Sequence, residues 1–346
     1  MQLINKIQGV SLNKILPILF IVVLPFFVWG RNILQGQING FVFLSLLMAV
    51  LLLPNVWLKI IGIIATGWLG FAYAIDFIGS FPISPFVDAS LVLFFAIVFY
   101  LFVYHTKYTF EFYAKIICIS ALIQTMISIC QWLWFDPVSF LMSTIVIVKG
   151  TGIVGSLGNP NFLGAYLAIS LPFFFRSRWV WFIPVIIIGL LISKTSTAII
   201  GAIIGTAFFI GGWRFAVCGI VPVGIYLMVS TPAGTALNVR LDYWIDATKT
   251  TCRSLSSFIV GYGQGTTWRL DNQIHNEYVA TFFNYGITGL ACMIAYIATI
   301  SRNNKILFTA FIILCVNMIG NHPLHVVTTA ILAIVISALI ERGRHD

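Results

Sequence analysis

Apolar runs long enough to cross a bilayer are the strongest constraint on this chain. A spanning helix needs about 20 mostly apolar residues. In hydrocarbon the backbone must satisfy its own polar groups, which leaves helices or closed barrels as the spanning structures. About twelve such runs are legible, at 15–30, 38–54, 59–79, 87–104, 113–135, 159–175, 179–194, 196–211, 213–230, 276–300, 304–320 and 323–341. Of the 346 residues, 60% are hydrophobic and 8% charged, with a mean hydropathy of +1.02. A soluble domain carries about 25% charged residues, so that class is excluded. The expected fold is all-α: a polytopic helical membrane protein of about 12 transmembrane helices, with 1–346 as a single integral membrane domain. Lys6 and Lys14 precede the apolar run Ile15 to Trp29, and no small-residue cleavage site follows, so an uncleaved first span is expected.

Charge gives an independent check on the register. With a cytoplasmic N-terminus, the inner ends hold Lys6, Lys14, Lys59, Lys107, Lys115, Arg176, Arg178, Arg214, Arg302, Lys305, Arg342 and Arg344. The short outer connections hold only Arg31, Lys149 and Lys194. This follows the positive-inside rule, and it accounts for the net charge of +9 without a nucleic-acid partner. Asp76, Asp88, Asp136, Asp242, Asp246, Asp271 and Glu277 all fall outside. The one sizeable polar region is the outer loop 231–275, which is expected to carry short helices. Of the cysteines, all but Cys252 lie in apolar runs without CxxC spacing, and they read as small buried hydrophobes.

Four stretches carry polar chemistry. In "GTGIVGSLGNPNFLG" (150–164) the GxGxxG match follows no strand and opens no βαβ unit, so a dinucleotide site is set aside. Asn159 is instead a helix cap with Pro160 in the first turn. The exposed amides around Asn159 and Asn161 would alternatively hold an anion or a sugar. In "NVRLDYWIDATKTTCRS" (238–254), helical spacing puts Arg240 and Trp244 on one face. That face suits an interfacial amphipathic helix, and it also suits a guanidinium fork aimed at phosphate oxygens. In "SFIVGYGQGTTW" (257–268), Gly261, Gly263 and Gly265 permit turns with positive φ or close approach of a ligand. The fourth stretch is "NQIHNEYVATFFNYGITG" (272–289), which sets His275, Asn276 and Glu277 immediately before an apolar helix. His322 and His325 of "NHPLH" fall at the same face. Lys194, in "ISKTSTAIIGAIIG", ends a span there. Gly201 and Gly205 in the same run form GxxxG, a helix-packing face.

These pieces, in this order, resemble the O-antigen ligase and O-antigen polymerase superfamily of bacterial membrane glycan transferases. The matching residues are "GSLGNPNFLGAYLAISLP" (155–172), "RLDYW" (240–244), "VGYGQG" (260–265) and "HNEY…GITGL" (275–290). The resemblance covers roughly residues 150–300. It implies a multi-pass protein of the bacterial inner membrane with cytoplasmic termini, an active face on the periplasm, and 231–275 as the long periplasmic loop. It also implies an undecaprenyl-pyrophosphate-linked glycan donor and an acceptor that is another glycan or lipid A-core. A membrane lipid and a chain-length regulator protein are further expected partners. Arg240 and His275 match the family's essential arginine and histidine. Many members carry an arginine after a serine where this chain has Ser193-Lys194, so Lys194 would supply a point charge and not a fork.

The expected chemistry is displacement at an anomeric carbon with lipid pyrophosphate leaving. Arg240, helped by Lys194 and Arg269, would stabilise the charge growing on the leaving group. His275 would take the acceptor proton as general base, oriented by Asn276 or Glu277. Asn159, Asn161, Gly263 and His322 complete the expected substrate-binding set. No DxD pair lies on the outer side, and a metal-independent reaction without cofactor is expected. A pilin or protein O-oligosaccharyltransferase of the same superfamily is an alternative reading. A lipid-linked glycan flippase or transporter is another.

Overall fold

The computed structural model describes residues 17–23, 96, 97, 99–106, 108–137, 153–176, 178–216, 236–263, 274–300, 303–320, 324 and 327–345. The expected spans at 38–54 and 59–79 lie outside the described residues, as do Arg269, His322 and His325. Every element with a bounded range among the described residues is helical, and no strand occurs among them.

The helices begin and end where local chemistry requires. Helix α1 spans Phe110–Trp132. Helix α2, Pro160–Ser170, is capped by Asn159, whose Oδ1 accepts the Asn161 N–H at 2.8 Å. Pro160 sits in its first turn, where a missing N–H is harmless. Pro172 then tightens the chain into a 3₁₀ turn, Leu171–Phe175. Helix α3 is Ile183–Ser193, with Pro184 in its first turn and not in the span interior. It stops at Lys194, which adopts the left-handed conformation (φ 54°, ψ 25°) common at helix C-termini. Helix α4, Ser196–Gly211, ends at Gly212 with φ 69°. Two helices follow within the 231–275 segment: α5, Ala236–Thr251, and the short α6, Leu255–Val260. The last three are α7, Glu277–Thr299, α8, Lys305–Gly320, and α9, Val327–His345. Asn276 caps α7, and Asn304 caps α8 by accepting the Ile306 and Leu307 N–H groups.

Small residues let the helices close on one another. A Cβ at Gly205 of α4 would lie 2.3 Å from Ile313 of α8, and one at Gly201 would lie 2.8 Å from the Asn317 amide. The GxxxG pair is therefore a packing face, as its spacing predicts. Gly164 of α2 likewise accepts Thr195, and Gly189 of α3 accepts Leu167 and Thr125. The core built on these contacts draws on α1–α4, α8 and α9, with Tyr113, Tyr166, Phe173 and Phe174 fully buried.

Helix α7 is not one rod. Gly286 sits at φ 63°, ψ −163° and splits it into two pieces. A break strands the carbonyls just before it, and these are met from outside the helix. The N–H groups of Tyr262 and Gly263 donate to Phe283 O at 3.0 Å and Asn284 O at 2.9 Å. Gly261 and Gly286 meet backbone to backbone. A Cβ on Gly261 would fall 2.4 Å from the Asn284 carbonyl, and one on Gly286 would fall 2.4 Å from that of Ile259. Both have positive φ, so glycine is required twice over. At 1.5 Å per residue, the break lies about 14 Å along α7 from its start.

Among the described residues, two helices, Phe110–Trp132 and Glu277–Thr299, are long and apolar enough to cross a membrane. Shorter apolar helices cover Pro160–Phe175, Val180–Ser193, Ser196–Gly211 and Lys305–Gly320. Charged residues of these helices and of α9 lie within two turns of a helix end: Glu111 and Lys115, Glu277, Lys305, and Glu341, Arg342 and Arg344. Exposed tryptophans cluster at both ends of the helices. Trp132 ends α1 and Trp134 (74% exposed) follows it, while Trp181 (84%) and Trp213 sit at the opposite end. Rings at both rims match the aromatic belts of membrane proteins.

Candidate functional site

At one end of the bundle lie the C-termini of α1, α3 and α8 and the N-termini of α2, α4 and α7. Helix α5 packs across this end through one face. Arg240, Trp244, Ala247 and Thr251 turn inward at helical spacing, while Asp242, Asp246, Lys249 and Arg253 are exposed. The Arg240 Nη1 donates to Gly320 O at 3.0 Å, placing a cation on the C-terminal carbonyls of α8. Thr197 of α4 lies against the same glycine, where an added Cβ would meet its Cγ2 at 2.3 Å.

One turn along α5, the Trp244 indole N–H donates to Ile274 O. Ile274 is buried with Ala247, Ala280 and Phe283, and Trp244 and Val279 pack against them. This fixes the peptide on the N-terminal side of His275. On the other side, the Asn276 Oδ1 accepts the N–H groups of Tyr278 and Val279 at 2.9 and 3.1 Å. Held from both sides, His275 takes φ +39°, a conformation few non-glycine residues adopt. Such strain persists only where the surroundings over-determine it.

The electrostatics follow from this placement. Burial, and then the positive charge of Arg240, hold the His275 imidazole below its ordinary pKa. Burial also lowers Arg240, whose guanidinium stays charged regardless. The arrangement presents a neutral imidazole and a guanidinium with donors to spare at one face. It can accept a proton and bind an anion.

The other predicted residues that are described take separate places. Glu277 is buried, and its Oε1 accepts the Leu324 N–H at 2.7 Å, tying α7 to the link before α9. Asn276 serves as the α7 cap. Lys194 is exposed at the α3–α4 corner, beside Thr195, whose Oγ1 donates to Pro160 O at 2.8 Å. That bond puts Lys194 and the Asn159–Asn161 turn at one corner of the same end. Gly263 lies at the α7 break, with its amide on Asn284 O. The sequence reading left out Trp244 as a clamp on the histidine peptide, and Gly320 and Thr197 as the seat of Arg240. The i, i+4 spacing of Arg240 and Trp244 held the first; the Gly320-Asn321-His322-Pro323 helix stop held the second. Among the described residues, no three His, Cys, Asp or Glu side chains gather as metal ligands.

No family model matches this chain, and neither a curated protein nor a solved structure matches it.

Proposed function

We propose that the chain is a membrane glycosyltransferase of the bacterial inner membrane. It takes glycan from an undecaprenyl-pyrophosphate carrier and transfers or polymerises it at the periplasmic face, as an O-antigen ligase or polymerase. The observation that carries this reading is the pairing of Arg240 with His275 at one end of an apolar helical bundle. The motif resemblance names the same two residues. The roughly twelve-span topology, with cytoplasmic termini, belongs to the same proposal. Its support is the confinement of charge to helix ends and the basic opposite rim, with Lys115, Arg176, Arg178, Arg214, Lys305 and Arg342.

In the proposed step the acceptor hydroxyl oxygen bonds to the anomeric carbon as the bond from that carbon to the phosphate oxygen breaks. The electron pair leaves with the lipid pyrophosphate, and the hydroxyl proton passes to the His275 imidazole. Arg240 faces the growing negative charge. It also keeps the imidazole unprotonated before the reaction, and the leaving diphosphate offsets its repulsion of the imidazolium afterwards. Lys194 is exposed at the same end and would help hold the diphosphate or sugar, a role the motif resemblance also gives to Arg269 and His322. The reaction needs no metal in this scheme.

Purified protein reconstituted with lipid-linked glycan and acceptor tests the reading. Transfer that depends on His275 and Arg240, and that survives EDTA, is expected. Normal transfer by His275→Ala protein would remove the assignment.

A second reading, donor movement between leaflets, has one observation in its favour. Helix α7 is broken at depth, and the buried Asn284 Oδ1 beside the break has no hydrogen-bond partner. Broken helices with free oxygens hold coupling ions in transporters. Here the freed backbone carbonyls are already taken by Tyr262 and Gly263. Movement of labelled donor across protein-containing vesicles without acceptor would favour this alternative.

A further inference from the structure

The opposite end of the bundle holds a cleft of roughly 380 Å³, far from the chemistry above. Its floor is apolar: Phe110, Leu307, Leu339 and Ile340, the last three nearly fully buried. Its mouth is polar: Thr109, Asn303, Asn304 and Arg342. The Arg342 guanidinium donates through Nη1 to Thr106 O and through Nη2 to Tyr108 O, both at 2.6 Å. These bonds anchor the group at the rim and leave further N–H donors of its fork available. The N-termini of α1 and α8 open on the same mouth, and their partial positive charge adds to that of Arg342. Nearby, Glu111 is neutralised by its ion pair with Arg176. Lys305 follows the lining residue Asn304, and Glu341 precedes Arg342. Trp181 and Trp213 mark this end as the level of a membrane interface.

An apolar floor under a cationic, hydrogen-bonding mouth at that level matches one kind of occupant. We infer that this cleft binds an anionic phospholipid, with the phosphodiester at Arg342 and the first acyl carbons over Leu307, Leu339 and Ile340. Charge complementarity selects the anionic headgroup, and the apolar floor selects a lipid over a free anion. The inference rests on the membrane placement of the bundle and not on glycan transfer, so it stands or falls separately from the transfer chemistry.

Gly343 provides a test that spares the fold. It lines the cleft, and a Cβ there would meet nothing within 4 Å. The full-length protein in mild detergent is mixed with phosphatidylglycerol or phosphatidylcholine, and retained lipid is read by native mass spectrometry. Wild type is expected to retain phosphatidylglycerol over phosphatidylcholine by about fivefold, the scale of one basic residue near an anionic headgroup. Gly343→Phe, which fills the mouth, and Arg342→Gln should each abolish that preference. Equal retention of the two lipids by wild type, or an unchanged preference in a folded Gly343→Phe protein, would overturn the assignment. So would displacement of the lipid by excess inorganic phosphate alone.

Discussion

Two polar clusters share the same end of the bundle and are built on opposite principles. In the first, Gln124 and Gln131 of α1 reach into the loop before α2. Gln131 Oε1 accepts the Gly155 N–H at 2.8 Å, and its Nε2 donates to Gly155 O at 2.9 Å and Asp136 Oδ1 at 3.0 Å. Gln124 exchanges hydrogen bonds with the Ser156 backbone and hydroxyl in the same way. The two glutamine amides and the loop satisfy one another inside the protein. In the second, Arg240 raises the cost of charging His275, and the histidine backbone is strained. The first cluster spends its polar groups on structure. The second holds two of them in mutual conflict, an arrangement that favours stability less than chemistry.

That contrast fixes what each substitution should do. His275→Ala should lower transfer by about 10²–10⁴ and leave thermal unfolding unchanged; a matching loss of folded protein would place this residue with the structural cluster. Arg240→Ala should cost about a hundredfold or more in turnover, with Arg240→Lys intermediate in a steady-state assay. Gln131→Leu should do the reverse. It strands the Gly155 amide and carbonyl, at about 1–3 kcal/mol of stability seen in thermal melts in detergent, while turnover of the folded fraction is little changed. A collapse of turnover without loss of stability would move the Gly155 loop into the site. The smallest effect is in pH. In the proposed mechanism transfer requires neutral His275, so activity should fall as pH drops through its pKa. Removing the Arg240 charge raises that pKa toward the ordinary value, and the acid limb of the Arg240→Ala profile should move to higher pH. The same direction is expected for Trp244→Phe, read by NMR titration of the His275 ring, because the clamp that holds the imidazole beside Arg240 is lost.

Much of this architecture follows from local rules that act within a few residues. The Asn159-Pro160 helix start, the α4 helix at 196–211, the GxxxG contact and the helical face linking Arg240 to Trp244 were all legible from spacing and composition. The break in α7 was not. Gly286 sits in an apolar run whose periodicity continues on both sides, and nothing local distinguishes it from a tolerated glycine. Its conformation is set by residues 258–263, more than 20 positions earlier in the chain, and a tertiary contact at that separation leaves no periodic trace. The structural role of the Gly155 loop was not legible for a related reason. Its partners, Gln124 and Gln131, look from sequence like two polar residues lost in an apolar helix, and only their meeting with the loop shows them satisfied.

The glycine pair at Gly261 and Gly286 has a consequence for how the chain is assembled. The carbonyls of Phe283 and Asn284 have no helical donors, and the amides that meet them belong to Tyr262 and Gly263, which leave the ribosome first. The second half of α7 therefore takes its final place against a segment synthesised before it. A bulkier residue at either glycine would act during assembly, by leaving those carbonyls without donors.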